Sequence, residues 1–400
     1  MLNKMNIPFS PPDINEEDIN QVVEALRSGW ITTGPRTKEF ERQIADYCGT
    51  SRAVCLNSAT AGLELTLRVL GVQPGDEVIT TAYTYTATAS VICHVGAKPV
   101  IIDTAPGSFF MDMEKLAGAV SSRTKAVIPV DLAGIPVDYD KLLLLAEQNR
   151  ALFRPNSKMQ EALGRIAIIA DAAHSFGASR SGRMSGSLAD FTSFSFHAVK
   201  NLTTAEGGAV AWRSIPGVED EEIYRNYMLL SLHGQTKDAL NKNSRGGWEY
   251  DIMIPGYKCN MTDMAAALGL SQLKRYESIL LRRRELIQFY NKAFMGSRIK
   301  PIEHLNAGYI SSGHLYITRI EGADEQERNS LVEAMADNGV TANVHYKPLP
   351  MLTAYKQMGF DIKAYPNAYN MYKNEITLPL NTVLTDEQAA YTAQLLLNLI

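Results

Sequence analysis

Short apolar runs alternate with helix-like segments from about residue 52 to residue 212, and this alternation constrains the fold more than any other feature of the chain. The apolar runs predict strands at Ala53–Leu56, Glu77–Thr80, Pro99–Asp103, Ala126–Val130, Ile166–Ala170, Phe191–Phe196 and Gly208–Trp212. The segments between them predict helices at Thr60–Leu70, Tyr85–Val95, Met113–Val120 and Val137–Asn149. Such alternation is typical of an α/β fold with a doubly wound, mostly parallel sheet covered by helices on both faces.

The segments outside this block predict a large domain over residues 1–275 and a smaller α+β domain over residues 276–400. Helices are expected at Asn15–Ser28, Gln326–Asn338 and Asp386–Leu397, and strands at Leu315–Ile320 and Thr341–His345. A bent helix is expected over Thr262–Phe294, with Arg282, Arg283 and Arg284 on a solvated face. Gly29 is the expected C-cap of the first helix, and residues 151–158 are expected to form an inserted loop.

Composition excludes several classes of protein. The 400 residues are 46% apolar and 20% charged with a net charge of −4, which argues against a general nucleic-acid binder. The four cysteines show no C-x-x-C spacing, so no metal site is expected, and scattered free thiols suit a reducing cytoplasm. No signal peptide and no apolar stretch of about 18 residues is present, so we expect no membrane association.

A lysine follows the strand pattern Phe191–Phe196, where lysine is unusual. This pattern alternates apolar and small hydroxyl side chains, and Lys200 comes just after it. Burial lowers the pKa of a lysine and leaves its amine free to act as a nucleophile. Ser195 precedes Lys200 and faces the same end of the sheet.

Other predicted strands end in groups that would meet Lys200, because ligands of doubly wound sheets lie at the carboxyl ends of the strands. Ser58, Ala59 and Thr60 open a helix whose N-terminal N–H groups suit an anion, although an ordinary N-cap would give the same pattern. Tyr85 either covers a flat ring or is simply half-buried packing near the end of a strand.

Asp171, Ala173 and His174 follow the strand Ile166–Ala170. An acid that ends a fully apolar strand is costly to bury unless it has a partner. A protonated ring nitrogen would be such a partner, with the small Ala173 leaving room for a flat ring; a cap on the next turn is the alternative. His174 is either a ligand contact or a hydrogen-bonded core histidine.

Pyridoxal 5'-phosphate requires four such groups together. They are an amine nucleophile, an acid for the ring nitrogen, an aromatic side chain over the ring and a binding site for the phosphate anion. Lys200 would bind this cofactor covalently and move the proton of the substrate carbon. Asp171 would keep the ring nitrogen protonated, and the anion-binding site would hold the phosphate.

At these residues the chain resembles the DegT/DnrJ/EryC1/StrS family of sugar aminotransferases, which are fold-type I pyridoxal-phosphate enzymes. The motifs that carry the resemblance are Asp171-Ala-Ala-His174, Ser193-Phe-Ser-Phe-His-Ala-Val-Lys200 with Glu206-Gly-Gly208, and Pro255-Gly-Tyr-Lys-Cys-Asn-Met-Thr-Asp263. The similarity runs over nearly the whole chain and implies transfer of an amino group from glutamate to a nucleotide-linked keto-sugar.

The resemblance also implies roles for single residues. Lys200 matches the lysine that binds the cofactor, Asp171 the acid on its ring nitrogen and His174 the position near its phenolic oxygen. Further matches are Ala173 and Tyr85 on the two ring faces, and Ser58, Ala59 and Ser195 at the phosphate. Asn260 matches a residue that reaches the phosphate of the neighbouring subunit, which implies a homodimer with shared active sites.

Two departures from the family pattern bear on the substrate. Gly256-Tyr-Lys-Cys-Asn260 replaces the common G-Y-N-[YF]-R and resembles the subgroup that forms UDP-4-amino-4-deoxy-arabinose, which favours UDP and a C4 ketone. Pro348-Leu-Pro350 lacks the histidine of the usual P-x-H, while His345 stands just upstream. Further candidate contacts of the sugar or the nucleotide phosphates are His233, Arg245, His314, His345 and Lys347.

Three other functions compete with this one. A sugar dehydratase of the same fold would have histidine where this chain has Lys200. A non-catalytic regulator with this fold would have to keep the whole site without turnover. An enzyme for free amino acids typically grips the α-carboxylate with an arginine of the small domain, and neither Arg319 nor Arg328 lies in a recognisable motif for that purpose.

Overall fold

The computed structural model describes residues 4–237 and 249–400, and in them a seven-stranded sheet forms the centre of the fold. Its strands are β1 (Ala53–Leu56), β2 (Glu77–Thr81), β3 (Lys98–Ile102), β4 (Thr124–Ile128), β5 (Ala167–Asp171), β8 (Phe191–Ser195) and β9 (Gly208–Trp212). Their order across the sheet is β1-β9-β8-β5-β4-β2-β3. The five strands from β8 to β3 are parallel, and β9 runs antiparallel to both of its neighbours. The predicted α/β class and mostly parallel sheet are therefore confirmed.

Helices cover both faces of this sheet. They are α2 (Pro35–Cys48), α3 (Ala59–Val69), α4 (Thr86–His94), α5 (Met113–Ala119), α6 (Tyr139–Gln148), α7 (Lys158–Leu163) and α8 (Asp220–Ser231). The first helix of the chain, α1 (Glu16–Arg27), packs instead on the helix Asp263–Lys274. Two apolar cores lie against the sheet, one containing Phe40, Ile168 and Phe194 and the other containing Leu63, Ile169 and Trp212. A strand that is apolar toward both faces fits between two such layers, which is why Ala167–Ala170 is almost entirely inaccessible.

The predicted bent helix over residues 262–294 is two helices, α9 (Asp263–Lys274) and α10 (Tyr276–Ala293), separated at Arg275. A three-stranded antiparallel sheet follows, made of β10 (Ile299–Pro301), β12 (Tyr316–Ile320) and β13 (Glu375–Leu378). Helices α11 (Glu325–Asp337), α12 (Thr353–Gln357), α13 (Pro366–Tyr372) and α14 (Asp386–Leu399) complete this part. A small sheet joins β6 (Ser179–Arg180), β7 (Arg183–Met184) and β11 (Tyr309–Ile310). A domain boundary after residue 275 stays a prediction.

Two local predictions for this part are wrong. Residues 341–345 form no strand, because Asn343 pairs with Thr377 only as an isolated bridge. Arg283 does not lie on a solvated face: it is 3% exposed and its guanidinium donates to the carbonyl oxygens of Gly313 and Leu380 at 3.1 and 2.9 Å. Burial lowers the pKa of Arg283 to about 10. Its side chain therefore anchors the loop that leads to β12.

Caps explain where the first and third helices begin. Asn15 forms a capping box with Asp18 at the start of α1. The C-cap residue is Ser28 rather than the predicted Gly29, which follows it in the left-handed conformation with a φ of 72°. Ser58 caps α3 by accepting a hydrogen bond from the backbone N–H of Ala61 at 3.1 Å. No helix in residues 4–237 or 249–400 is long and apolar enough to cross a lipid bilayer.

Candidate active site

A cavity of about 330 Å³ opens at the carboxyl ends of β1, β2, β5 and β8. The residues that line it are Ser58, Ala59, Thr60, Leu63, Thr84, Tyr85, Ala87, Val130, Asp171, Ala173, His174, Ser195, His197, Lys200, Glu206, Gly207 and Tyr346. Every residue predicted to bind the cofactor, except Asn260, is among them. The convergence arises because parallel strands of one sheet end at the same edge.

Lys200 lies in the turn after β8, where its backbone N–H donates to the carbonyl oxygen of His197 at 2.9 Å. Its half-buried side chain reaches the cavity. Burial lowers the pKa of Lys200 to about 8, although the charge of Asp171 acts in the opposite direction. At pH 7 roughly a tenth of such amines are neutral, against fewer than one in a thousand at the ordinary lysine pKa. The chain therefore presents an amine that can act as a nucleophile.

Asp171 ends β5 and is 7% exposed. Its carboxylate accepts a hydrogen bond from the hydroxyl of Thr88 at 2.7 Å and another from the backbone N–H of Ala173 at 3.3 Å. Burial raises the pKa of Asp171 despite these donors. A cationic ring nitrogen in the cavity would stabilise the ionised carboxylate, so the site fits a protonated heterocycle.

The N-terminus of α3 forms one wall of the cavity through Ser58, Ala59 and Thr60. The first backbone N–H groups of a helix lack partners within the helix and favour an anion. On the neighbouring strand β9, a Cβ atom at Gly208 would lie 2.5 Å from both the backbone nitrogen of Ala59 and the carbonyl carbon of Ser58. Only glycine lets α3 begin this close to the sheet. This wall, with the hydroxyl of Ser195, fits a phosphate group.

Tyr85 and Ala173, the residues predicted to lie on the two faces of a flat ring, both line the cavity. Tyr85 directly precedes α4 and keeps 59% of its surface exposed, so its ring is not part of the core. Its side chain is exposed rather than half-buried, and a role in covering a ring stays a prediction. Ala173 borders the same cavity with the smallest chiral side chain, which leaves room for a ring.

His174 is 8% exposed and its Nε2 lies 3.1 Å from the hydroxyl oxygen of Tyr346. Burial, helped by the charge of Lys200, holds its pKa well below the usual range. The imidazole is therefore neutral. Its ring centroid is 4.4 Å from that of His314, whose Nδ1 is 3.0 Å from the side-chain oxygen of Asn201.

Asn260 does not line the cavity of its own chain. It forms an isolated bridge with Leu56, and its side-chain amide donates to the hydroxyl of Thr33. Of the other candidate contacts, His314 is buried behind His174 and His345 is stacked on Phe9, while Arg245 lies outside the described residues.

Two residues that touch predicted site groups escape sequence reasoning. Thr88 lies 83 positions before Asp171 and Tyr346 lies 172 positions after His174. Nothing in the local pattern of either residue signals its partner. The place of Thr88 in the first turn of α4, shortly after β2, could have pointed to it, whereas Tyr346 comes from the far part of the chain.

A phosphate, a protonated aromatic ring and a carbonyl group on one molecule would engage the α3 wall, Asp171 and Lys200 together. With the doubly wound sheet, this arrangement defines an enzyme that works with pyridoxal 5'-phosphate.

Comparison with known proteins then identifies the family. The model of the DegT/DnrJ/EryC1/StrS aminotransferase family matches residues 12–396, and the chain belongs to that family. It is therefore a pyridoxal-phosphate-dependent aminotransferase of fold-type I.

Several relatives resemble the chain over nearly its whole length. SpsC, a spore coat polysaccharide biosynthesis protein of Bacillus subtilis (strain 168), is 39% identical over 398 residues, which cover 97% of this chain and 96% of SpsC. Spr1654 of Streptococcus pneumoniae, described as a sugar aminotransferase, is 55% identical in its PMP form, with a TM-score of 0.96 and coverage of 99% and 98%. PseC of Helicobacter pylori, an aminotransferase in pseudoaminic acid biosynthesis, is 28% identical with a TM-score of 0.85 and 99% coverage of both chains.

Proposed function

We propose that this aminotransferase moves the amino group of glutamate to a nucleotide-linked keto-sugar, in the biosynthesis of a cell-surface polysaccharide. The observation that carries the proposal is the lining of the cavity. Apart from Lys200, its polar side chains are hydroxyls, imidazoles and the carboxylates of Asp171 and Glu206, and no arginine is among the described residues that line it. Hydroxyl-rich walls suit a polyhydroxylated acceptor better than a second free amino acid.

The names of the relatives support the same substrate class. Spr1654 is described as a sugar aminotransferase, and SpsC is named for polysaccharide biosynthesis. The segment Gly256-Tyr-Lys-Cys-Asn260 further favours UDP over dTDP and C4 over C3 as the aminated carbon. The free thiols of Cys48, Cys55, Cys93 and Cys259 favour a cytoplasmic location.

The proposed roles in the reaction are consistent with the residues that line the cavity. Pyridoxal phosphate, when bound, supplies a conjugated ring that withdraws electrons from the carbon that bears the amino group. Lys200 accepts the proton from that carbon and returns it at the end of the transfer. Asp171 holds a positive charge at the ring nitrogen, and the α3 N-terminus with Ser58 and Ser195 keeps the phosphate in place. Tyr85 excludes water from one side of the cavity.

A panel of acceptors tests the substrate. With glutamate as donor, UDP- and dTDP-linked 4-keto and 3-keto sugars should be compared by the formation of 2-oxoglutarate. We expect the UDP-linked 4-keto sugar to give the highest kcat/KM. If none of the four sugars returns the aminated enzyme to its starting form, the keto-sugar proposal is wrong, although the aminotransferase assignment would stand.

We also propose that the enzyme is a homodimer in which Asn260 completes the partner's site. Asn260 is half-buried beside the end of β1 but outside its own cavity, as a residue that serves a neighbour would be. Such a shared site requires a two-fold interface that repeats the contact in both directions.

Mixing two impaired variants tests the shared site. Co-expressed Lys200→Ala and Asn260→Ala chains would form heterodimers with one fully intact site, provided that Asn260 acts across the interface. We expect about a quarter of the wild-type rate after random assortment, well above the sum of the separate variants. Purely additive rates, or a monomer in light scattering, would rule out the exchange of Asn260.

A further inference from the structure

Tyr346 is the one described residue beyond position 212 that lines the active-site cavity. It lies in the loop between α11 and α12. The preceding residue fixes this loop, because the backbone N–H of His345 donates to the carboxylate of Glu375 at 2.9 Å and His345 Nδ1 lies 3.0 Å from the hydroxyl of Thr377. The ring of Tyr346 packs 5.8 Å from that of Tyr85. The C-terminal part of the chain therefore reaches the reaction site through this tyrosine.

The contact between Tyr346 and His174 raises the question of which atom carries the proton. A neutral imidazole has one N–H group and one bare nitrogen. The Nδ1 of His174 is buried without a hydrogen-bond partner among the described residues, whereas Nε2 lies 3.1 Å from the Tyr346 oxygen. A buried N–H without an acceptor is rarer in proteins than an unpaired acceptor. The contacts made within the chain therefore favour the tautomer with its proton on Nε2, where the Tyr346 oxygen accepts it.

This tautomer determines what the hydroxyl of Tyr346 can do. Since its oxygen accepts from His174, its own proton is available to another acceptor. An O–H group whose oxygen already accepts a hydrogen bond is a stronger donor, because neighbouring bonds in a chain polarise one another. Burial also raises the pKa of Tyr346, so the hydroxyl keeps its proton at neutral pH.

We propose that Tyr346 is an active-site hydrogen-bond donor, which receives the Nε2–H of His174 and directs its own proton to an oxygen atom of the molecule in the cavity. That oxygen belongs either to the cofactor's ring or to the keto substrate, and both are acceptors of the same chemistry. His174 then acts through Tyr346, and Tyr346 touches the reacting molecules.

The first test determines which ring nitrogen of His174 carries the proton. In holoenzyme labelled with ¹⁵N-histidine, the His174 signals can be assigned by their loss in His174→Gln. We expect wild-type His174 to carry its proton on Nε2, and a proton on Nδ1 would overturn the proposal. This measurement needs no variant of Tyr346 to fold.

The second test removes the hydroxyl of Tyr346 and determines which oxygen atom accepts its hydrogen bond. Tyr346→Phe should be compared with Tyr391→Phe, which removes the hydroxyl of another tyrosine. That hydroxyl donates to the carbonyl oxygen of Asn338 at 3.0 Å and does not line the cavity. A shift in the visible absorption band of the resting holoenzyme would assign the cofactor oxygen. An unshifted band with a roughly tenfold loss in kcat/KM for the keto substrate would assign the substrate oxygen. If Tyr346→Phe matches Tyr391→Phe in both measurements, Tyr346 is not a donor in the reaction.

Discussion

Lys200→Ala should remove the visible absorption of the purified enzyme and its amino-transfer activity together. We propose the half-buried amine of Lys200 as the nucleophile of the cavity, and alanine offers neither a covalent attachment nor a base for the proton of the substrate carbon. Loss of a positioned proton carrier alone costs roughly a hundred- to ten-thousand-fold in rate. Absorption spectra and turnover with glutamate measure the two losses.

The pH dependence of cofactor uptake gives an independent check on the same residue. Because only the neutral amine attacks a carbonyl group, reloading of cofactor-free enzyme should accelerate as the pH rises through about 8, the pKa to which burial lowers Lys200. An unperturbed lysine would place this rise near pH 10.4.

Lys125→Met is a suitable control because it also removes a buried lysine. Lys125 is buried against Asp76 and the carbonyl oxygen of Arg154, and it does not line the cavity. We expect lower thermal stability but an unchanged absorption band per folded molecule. If Lys200→Ala kept its band while Lys125→Met lost it, the assignment of the cofactor lysine would be wrong.

The sequence predicts the sheet and its edge because both depend on local patterns. The strand Ala167–Asp171 is apolar toward both faces, and its predicted position at 166–170 differs from the observed one by a single residue. Strand ends then predict where Asp171 and the turn with Lys200 lie. Parallel strands bring such ends together whatever the intervening segments do.

Contacts that depend on tertiary packing could not be predicted in this way. The Arg283 side chain donates to three carbonyl groups of loops that are distant in sequence, so the run of three arginines does not reveal that its middle member is buried. Tyr346 meets His174 because the loop before α12 folds back over the sheet edge. Short-range periodicity carries no information about either contact.

Asp171→Asn should leave the cofactor bound but slow amino transfer severely. The α3 wall and Lys200 are unchanged in this variant, so retention of the cofactor is expected. The amide has nearly the same volume but no negative charge to hold a positive charge at the ring nitrogen. Removing one electrostatic group that stabilises charge developing in the transition state costs roughly a hundred- to a thousand-fold in rate. Single-turnover reaction with glutamate, followed by the change in cofactor absorbance, measures this loss.

Asp190→Asn is the matched control for Asp171→Asn, because it also removes a buried carboxylate but at a site away from the cavity. Asp190 is 4% exposed and accepts two hydrogen bonds from Arg165 at 2.7 and 2.8 Å, but it precedes β8 and so lies at the opposite end of the sheet from the cavity. Breaking its ion pair should lower stability by about 3 to 5 kcal/mol and leave the rate per bound cofactor within roughly twofold. Equal rates in the two variants would mean that Asp171 only supports the fold. A slow Asp171→Asn beside a fast Asp190→Asn would show that a carboxylate matters here for the charge it presents to the cavity.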